Sequence, residues 1–513
     1  MVKQRIPKIH RLKNGYLRSW RRTRIFTLIL VVFGITQVAF VITWHYRAPI
    51  SKRDVFRVRH VKKDIGSVIN NQRKLKVFNE FKGTPDQLLK NLKSGFGGQI
   101  KIEYSVPRDA ENITFEYSKA SFPRKIQFSK VDPKVRAQKP AGYVRVFGQY
   151  WEQMTMNLRN LISLVGQAKI GNRKVLEPKV KDSGFGRDGK SLGLYFDLKH
   201  FNDILVASDY ATMANQNEYN RECPLASKSH VTIHFLYSQK GIDFTKQKLK
   251  LNDKQYKDIS AKASKSGWTE CKALTNFIKE SSNSKQFCVD PSKYTTWDKL
   301  EKEVLKGAKC VTISHWRGIG GGYRTYFSEN AFKIKARDIQ FALKPPVNIA
   351  READRFQNHY LHGRFIAVQV RGERVVIPHN LKRLGSCLRI LADVVSMLKE
   401  LSDITHVFVA SDMSNFGSGS WKGSLKGEVY NDNTLKDLNS FLISSTGGIE
   451  YKPPASDVDR GVVALVEMAL IERAQHLITI GMGSFQEWIK AKFLEKHRDE
   501  GRPSWSLITM CSK

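Results

Sequence analysis

Residues 464–485 read ALVEMALIERAQHLITIGMGSF, and this stretch decides the fold. Its apolar positions from Ala464 to about Ala474 recur at helical spacing. His476–Ile480 is a short β-like segment. A small-residue turn ending in Gly483-Ser484-Phe485 follows, and a second helix begins at about Gln486. Helix, strand, glycine turn and helix make half of a nucleotide-binding α/β unit. Such a turn sits at the carboxyl end of a strand and the amino end of a helix. Backbone N–H groups and the helix dipole there favour an anion. Upstream, Phe365–Arg371 reads FIAVQVR, a buried-type strand that ends in an arginine. The planar fork of Arg371 suits a bidentate grip on phosphate, with an ordinary surface ion pair as the alternative.

Outward from these two strands, a further strand at 407–411 and helices at 383–401 and 460–474 complete an α/β domain spanning 351–513. A second domain, 143–350, opens with strand Tyr143–Phe147, helix Glu152–Lys169 and strand Lys174–Pro178, a βαβ beginning that implies a parallel sheet. Its later part is less regular and holds a glycine-rich loop, Gly318–Gly322. Residues 45–142 are rich in lysine and lack sustained periodicity apart from pieces such as Gln99–Tyr104. They read as a partly structured stem closed by the linker Lys130–Gly142.

Ile25–Trp44 is a run of 20 residues without a charge, enough to cross a hydrocarbon core about 30 Å thick. Nine lysines and arginines precede it, the last four of them within residues 18–24, and seven follow within residues 47–63. This bias places residues 1–24 in the cytosol as a basic tail and 25–44 in the membrane as a single-pass type II anchor. The rest then lies in the lumen of the Golgi or endoplasmic reticulum. The six cysteines allow up to three disulfides, with 15 possible connectivities. Asn112-Ile113-Thr114 is a glycosylation sequon on the same side. The net charge of +38 implies an anionic partner. The sequence carries no aromatic-interleaved RNA motif, zinc-ligand spacing or helix-turn-helix pattern, so nucleic acid is not the expected partner.

Five segments, in order, resemble the GDP-fucose O-fucosyltransferases. AKIGNRKVLEP (Ala168–Pro178) looks like the family's first strand-closing segment, and FIAVQVRGE (Phe365–Glu373) resembles its HxR strand. VFVASD (Val407–Asp412), HLITIGMGSFQEWI (His476–Ile489) and EGRPSW (Glu500–Trp505) are similar to its later carboxyl-terminal motifs. The IGMGSFQEW stretch also resembles the α1,2 branch of the wider superfamily, which includes the α1,6 enzymes.

The resemblance implies a GT-B architecture, two Rossmann-like domains facing across a cleft. It also implies inverting transfer of fucose from GDP-fucose to a protein or glycan hydroxyl, without a metal or other cofactor. Arg371 would then meet the charge that develops on the departing diphosphate. Ser484 and the N–H groups around Gly483 and Phe485 would hold phosphate or ribose. Asp412 would hold guanine or ribose, or else cap a helix. Two departures stand out. The histidine of HxR is Gln369, which can donate a hydrogen bond but carries no charge. The first loop reads Gly148-Gln149-Tyr150-Trp151-Glu152-Gln153 and lacks the family's arginine. Gly148 and Gln149 remain candidate donor contacts, and Glu152 is either a general base on the acceptor or a residue favoured at a helix start. Asp457-Val458-Asp459 resembles a metal-binding DxD but precedes a helix, where capping is the simpler role. A silent, membrane-tethered protein that binds a glycan or nucleotide is the competing reading.

Overall fold

A computed structural model describes residues 98–105, 112–119, 139–150, 152–224, 230–236, 246, 249–271, 285–294, 296–317, 327, 332–376, 381–414, 432–455, 458–501 and 505–511 of the chain. The stretch 25–44 and the rest of the chain before residue 98 lie outside these, as do Gly318–Gly322 and Asp457. Among the described residues no helix is long and apolar enough to cross a membrane. The described residues fall into two units. One takes in Arg124–Glu352 and Pro453–Val466; the other takes in Ala353–Lys452 and Glu467–Lys513 together with the first two strands.

Those strands are β1 (Gly98–Ser105) and β2 (Asn112–Lys119). The Arg124–Glu352 unit then provides β3 (Gly142–Val146), α1 (Met154–Ile170), β4 (Arg173–Leu176), β5 (Met213–Ala214), β6 (His230–Phe235), β7 (Trp268–Glu270), β8 (Lys285–Val289) and β9 (Cys310–Ile313). They form one sheet in the order β7-β8-β6-β9-β3-β4-β5, parallel except for β7. Leu158, Leu161, Ile162, Leu164 and Val165 of α1 are all fully buried. A helix apolar on so wide an arc belongs inside a unit rather than on its surface.

The other unit holds β10 (Phe365–Val370), α2 (Gly372–Val376), α3 (Leu381–Ser402), β11 (His406–Ser411), α4 (Asp432–Thr446), β12 (Ile449–Glu450), α5 (Arg460–Ile471, whose first turns belong to the other unit), β13 (His476–Ile480), α6 (Ser484–Glu500) and β14 (Ser506–Met510). Its sheet runs β12-β11-β10-β13-β14-β1-β2. Every pairing is parallel except β1 with β2. All six residues of β10 and all five of β13 are buried, as strands covered on both faces require. Ile366, Val368, Val370, Ile478 and Ile480 share one core with Leu384, Leu388, Leu391, Leu435 and Leu442 of α3 and α4. The opposite parity brings Gln369 to the other face, where Gln486 of α6 reaches it.

From β10 the chain builds outward through β11 to β12. It then crosses back to place β13 and β14 on the far side of β10. This is the 3-2-1-4-5 order of a doubly wound sheet, and its topological switch point lies between β10 and β13. The fold is thus α/β with parallel sheets, as the alternating pattern predicts. Part of the expected stem is built into this sheet. β1 pairs in parallel with β14 from Gly98↔Ser506 to Ile102↔Met510, so residues 98–119 extend the sheet. Their pairing partner is some 400 residues away in sequence, and no local pattern reveals it.

Candidate functional site

Ligands of doubly wound sheets bind outside the carboxyl ends of the strands at the switch point. Here the two strands leaving that point are β10, which runs into Arg371, and β13, which runs into Gly481. The Arg371 N–H donates to the Ile480 carbonyl at 2.9 Å, so the two exits are zipped one residue beyond the sheet. Two glycines allow the approach. Gly481 has φ 83°, and a Cβ there would come within 2.5 Å of the Arg371 carbonyl oxygen. Gly483 has φ 152°, and a Cβ there would meet Arg371 Nη1 at 2.5 Å and Cζ at 3.1 Å. The guanidinium therefore lies against the bare Cα of Gly483, the residue that caps α6.

The first hydrogen bond of α6 runs from the Glu487 N–H to the Gly483 carbonyl. The N–H groups of Ser484, Phe485 and Gln486 have no acceptor within the helix, as at any helix start. Ser484 and Phe485 are half-buried, and Phe485 sets its edge against the fully buried Trp488. The Arg371 side chain is 23% exposed, and its nearest carboxylate oxygen, Oε2 of Glu373, stands 3.8 Å from Nη2, beyond hydrogen-bond range. Burial and the neighbouring charge of Arg374 work against its cationic form, while Glu373 and Asp412 support it. A half-desolvated, always charged guanidinium beside a helix N-terminus suits an anion.

Asp412 follows β11, and its two carboxylate oxygens accept the N–H groups of Gly372 at 2.8 Å and Glu373 at 3.1 Å. It caps α2, the capping alternative left open by the sequence, and in doing so supports the segment just past Arg371. Burial pushes its carboxyl up to about 7 against the pull of those two donors and of Arg371. Gln369 is 7% exposed, and its Oε1 accepts from Gln486 Nε2 at 2.6 Å. Six of the candidates read from sequence therefore gather on one unit: Gln369, Arg371, Asp412, Gly483, Ser484 and Phe485.

Gly148, Gln149 and Glu152 belong to the other unit, just past the carboxyl end of β3. Gly148 donates its N–H to the Ser314 carbonyl at 2.8 Å, and a Cβ there would fall 2.7 Å from His315 Nε2. Gln149 is exposed and its carbonyl accepts from the Trp316 N–H. Glu152 Oε1 pairs with Arg317 Nη2 at 2.7 Å, and the Asn157 side chain bonds both the N–H and the carbonyl of Glu152. Glu152 precedes the helix, which begins at Met154. Asp459 accepts from the Asp182 and Gly461 N–H groups and from the Tyr195 hydroxyl, so it ties down the start of α5. Among the described residues no cluster of three or more His, Cys, Asp or Glu side chains is placed to hold a metal ion. Gln486 and His315 went unread in the sequence, because a single polar residue near a helix start or strand end carries no pattern.

Fold and site together define an α/β protein with a candidate anion site at its switch point. No family model and no curated protein matches the chain. Forty-five chains of solved structures do. POFUT1 in complex with GDP shares 13% identity over 72% of this chain and 99% of that chain, with a TM-score of 0.42. The fucosyltransferase NodZ from Bradyrhizobium shares 12% over 69% of this chain and 92% of that chain, with a TM-score of 0.32. NodZ α-1,6-fucosyltransferase soaked with GDP-fucose shares 13% over the same fractions, with a TM-score of 0.29.

Proposed function

We propose that this protein is a GDP-fucose-dependent fucosyltransferase of the GT-B type, inverting and metal-independent, acting on a protein or glycan hydroxyl. The observation that carries the reading is the Arg371 guanidinium lying on Gly483 at the switch point, beside the amino end of α6. The ordered motifs from Ala168 to Trp505 narrow a general nucleotide site to this donor. In the reaction the bond from the anomeric carbon to the phosphate oxygen breaks, and its electron pair leaves with GDP. The acceptor oxygen forms the new bond and gives up its proton to a base. Arg371 and the N–H groups of Ser484 and Phe485 meet the charge on GDP as it grows. Glu152 is the candidate base, held by Arg317. The three disulfides, Cys223–Cys310, Cys271–Cys288 and Cys387–Cys511, suit an oxidising compartment. Together with the uncharged stretch 25–44 they support a type II protein of the Golgi or endoplasmic reticulum membrane.

Calorimetric titration with GDP should give a binding free energy of about 4–8 kcal/mol, corresponding to millimolar to micromolar affinity. That affinity should be the same with and without EDTA; its loss on chelation would remove the metal-independent assignment. A second reading, a silent nucleotide-binding member, is favoured by Gln369 and by the Glu152–Arg317 pair. Release of GDP from GDP-fucose by the full chain separates the two.

A further inference from the structure

We infer that Gln486 is the positioning residue of the donor site, a single carboxamide that sets Arg371 and the amino end of α6 in register with each other. The inference rests on the nucleotide reading of the switch point. Gln486 lies in the first turn of α6 and is 1% exposed. Its Nε2 donates to Gln369 Oε1 on β10 at 2.6 Å and to the Ile480 carbonyl at the end of β13 at 3.0 Å. An amide nitrogen has two hydrogens, so both are used. The same Ile480 carbonyl also accepts the Arg371 N–H at 2.9 Å. One oxygen is thus shared between the backbone that carries Arg371 and the helix that carries Ser484.

The need for such a fastener follows from the turn it spans. Gly481 and Gly483 are both at positive φ, and Met482 between them is 50% exposed. Glycine is the residue that loses most conformational freedom on ordering, so the turn by itself holds α6 loosely. The anion site needs the guanidinium and the helix N–H groups aligned together, and a misplacement of about 1 Å costs on the order of a hundredfold in rate. Gln486 ties β10, β13 and α6 at one point directly beneath that turn. The pairing also fits the departure at position 369. Gln486 requires an acceptor opposite it; the Gln369 carbonyl always supplies one, whereas a protonated imidazole has none.

The test uses GDP as the probe and the full chain. Gln486→Met keeps length and volume and removes both donated bonds. It should raise the GDP dissociation constant by about tenfold or more. Gln486→Asn, which keeps the amide but falls one methylene short, should give a loss in the same direction. Adding Gln369→Ala to Gln486→Met should cost less than the sum of the two single losses, because the two residues act as one bond. Leu442→Ala, a core truncation on the opposite face of the sheet, should lower the melting temperature while leaving GDP affinity within twofold. A role of Gln486 in stability alone would make Gln486→Met behave like Leu442→Ala. Wild-type GDP affinity in Gln486→Met or in Gln486→Asn would overturn the inference. A wild-type chain that fails to bind GDP would instead overturn the nucleotide reading beneath it.

Discussion

Arg371 is placed by two residues that have no side chain. Gly481 lets its carbonyl oxygen approach and Gly483 makes room for its guanidinium, so the charge is held without a tight carboxylate partner. A pre-aimed charge of this kind acts more strongly on the transition state than on the ground state. Arg371→Ala should lower turnover by about a hundredfold or more, the loss typical of removing one preorganised donor. Arg371→Lys retains the charge but not the planar fork, and should recover only part of it. An Arg371→Ala protein that folds and transfers fucose at the normal rate would remove Arg371 from the site. At this scale the sequence marks a strand end that meets a helix start: Arg371, Gly483 and Ser484 are candidates by position alone, and the structure brings them to one turn. The sequence was silent on Gln486 and on the way Glu152 is committed to Arg317, because those contacts join residues 117 and 165 positions apart.

Among the elements, α3 is fastened to the end of β14 by the Cys387–Cys511 disulfide, closing a loop of 124 residues. Both cysteines are buried in the core that α3 and α4 share with β10 and β13. Cross-linking so long a loop restricts the unfolded chain. Replacing both cysteines by serine should cost about 2–5 kcal/mol and lower the melting temperature by roughly 5–15 °C. An unchanged melting curve would show that the bridge contributes nothing to stability. The elements themselves were legible in proportion to their burial. β10 and β13 coincide with largely apolar runs, because a strand covered on both faces has little room for polar side chains, and the buried Gln369, His476 and Thr479 are the exceptions. The pairing of β1 with β14 and the crossing of β13 beside β10 were not legible. Sheet order depends on contacts between distant segments, and six cysteines alone admit 15 pairings of which the fold selects one.

For the molecule as a whole, buried ionisable groups tilt stability with pH in two opposite directions. His230 and His234 are held down to about 4 and His476 to about 3, in each case chiefly by burial. A base with a depressed folded pKa contributes fully above its ordinary value, near 6.5, and that contribution is lost as pH falls through 6 toward 4. Glu467 on α5 goes the other way. Burial, reinforced by the charge of Glu450, raises its carboxyl to about 8. The neutral acid is the form the fold accommodates. Its cost is absent below about pH 4.5, where folded and unfolded chains are both protonated, and grows as pH rises toward 8. Since the histidines act only on the acid side, the alkaline limb can be isolated by one isosteric change. Glu467→Gln, neutral at every pH, should melt at the same temperature as the wild type near pH 4.5. At pH 8 it should melt higher by at least the roughly 2–4 °C that about 1 kcal/mol produces in a unit of this size. Thermal melts of the two proteins across pH 4.5–8 check this, and curves that stay parallel over the whole range would show that Glu467 is ionised in the fold.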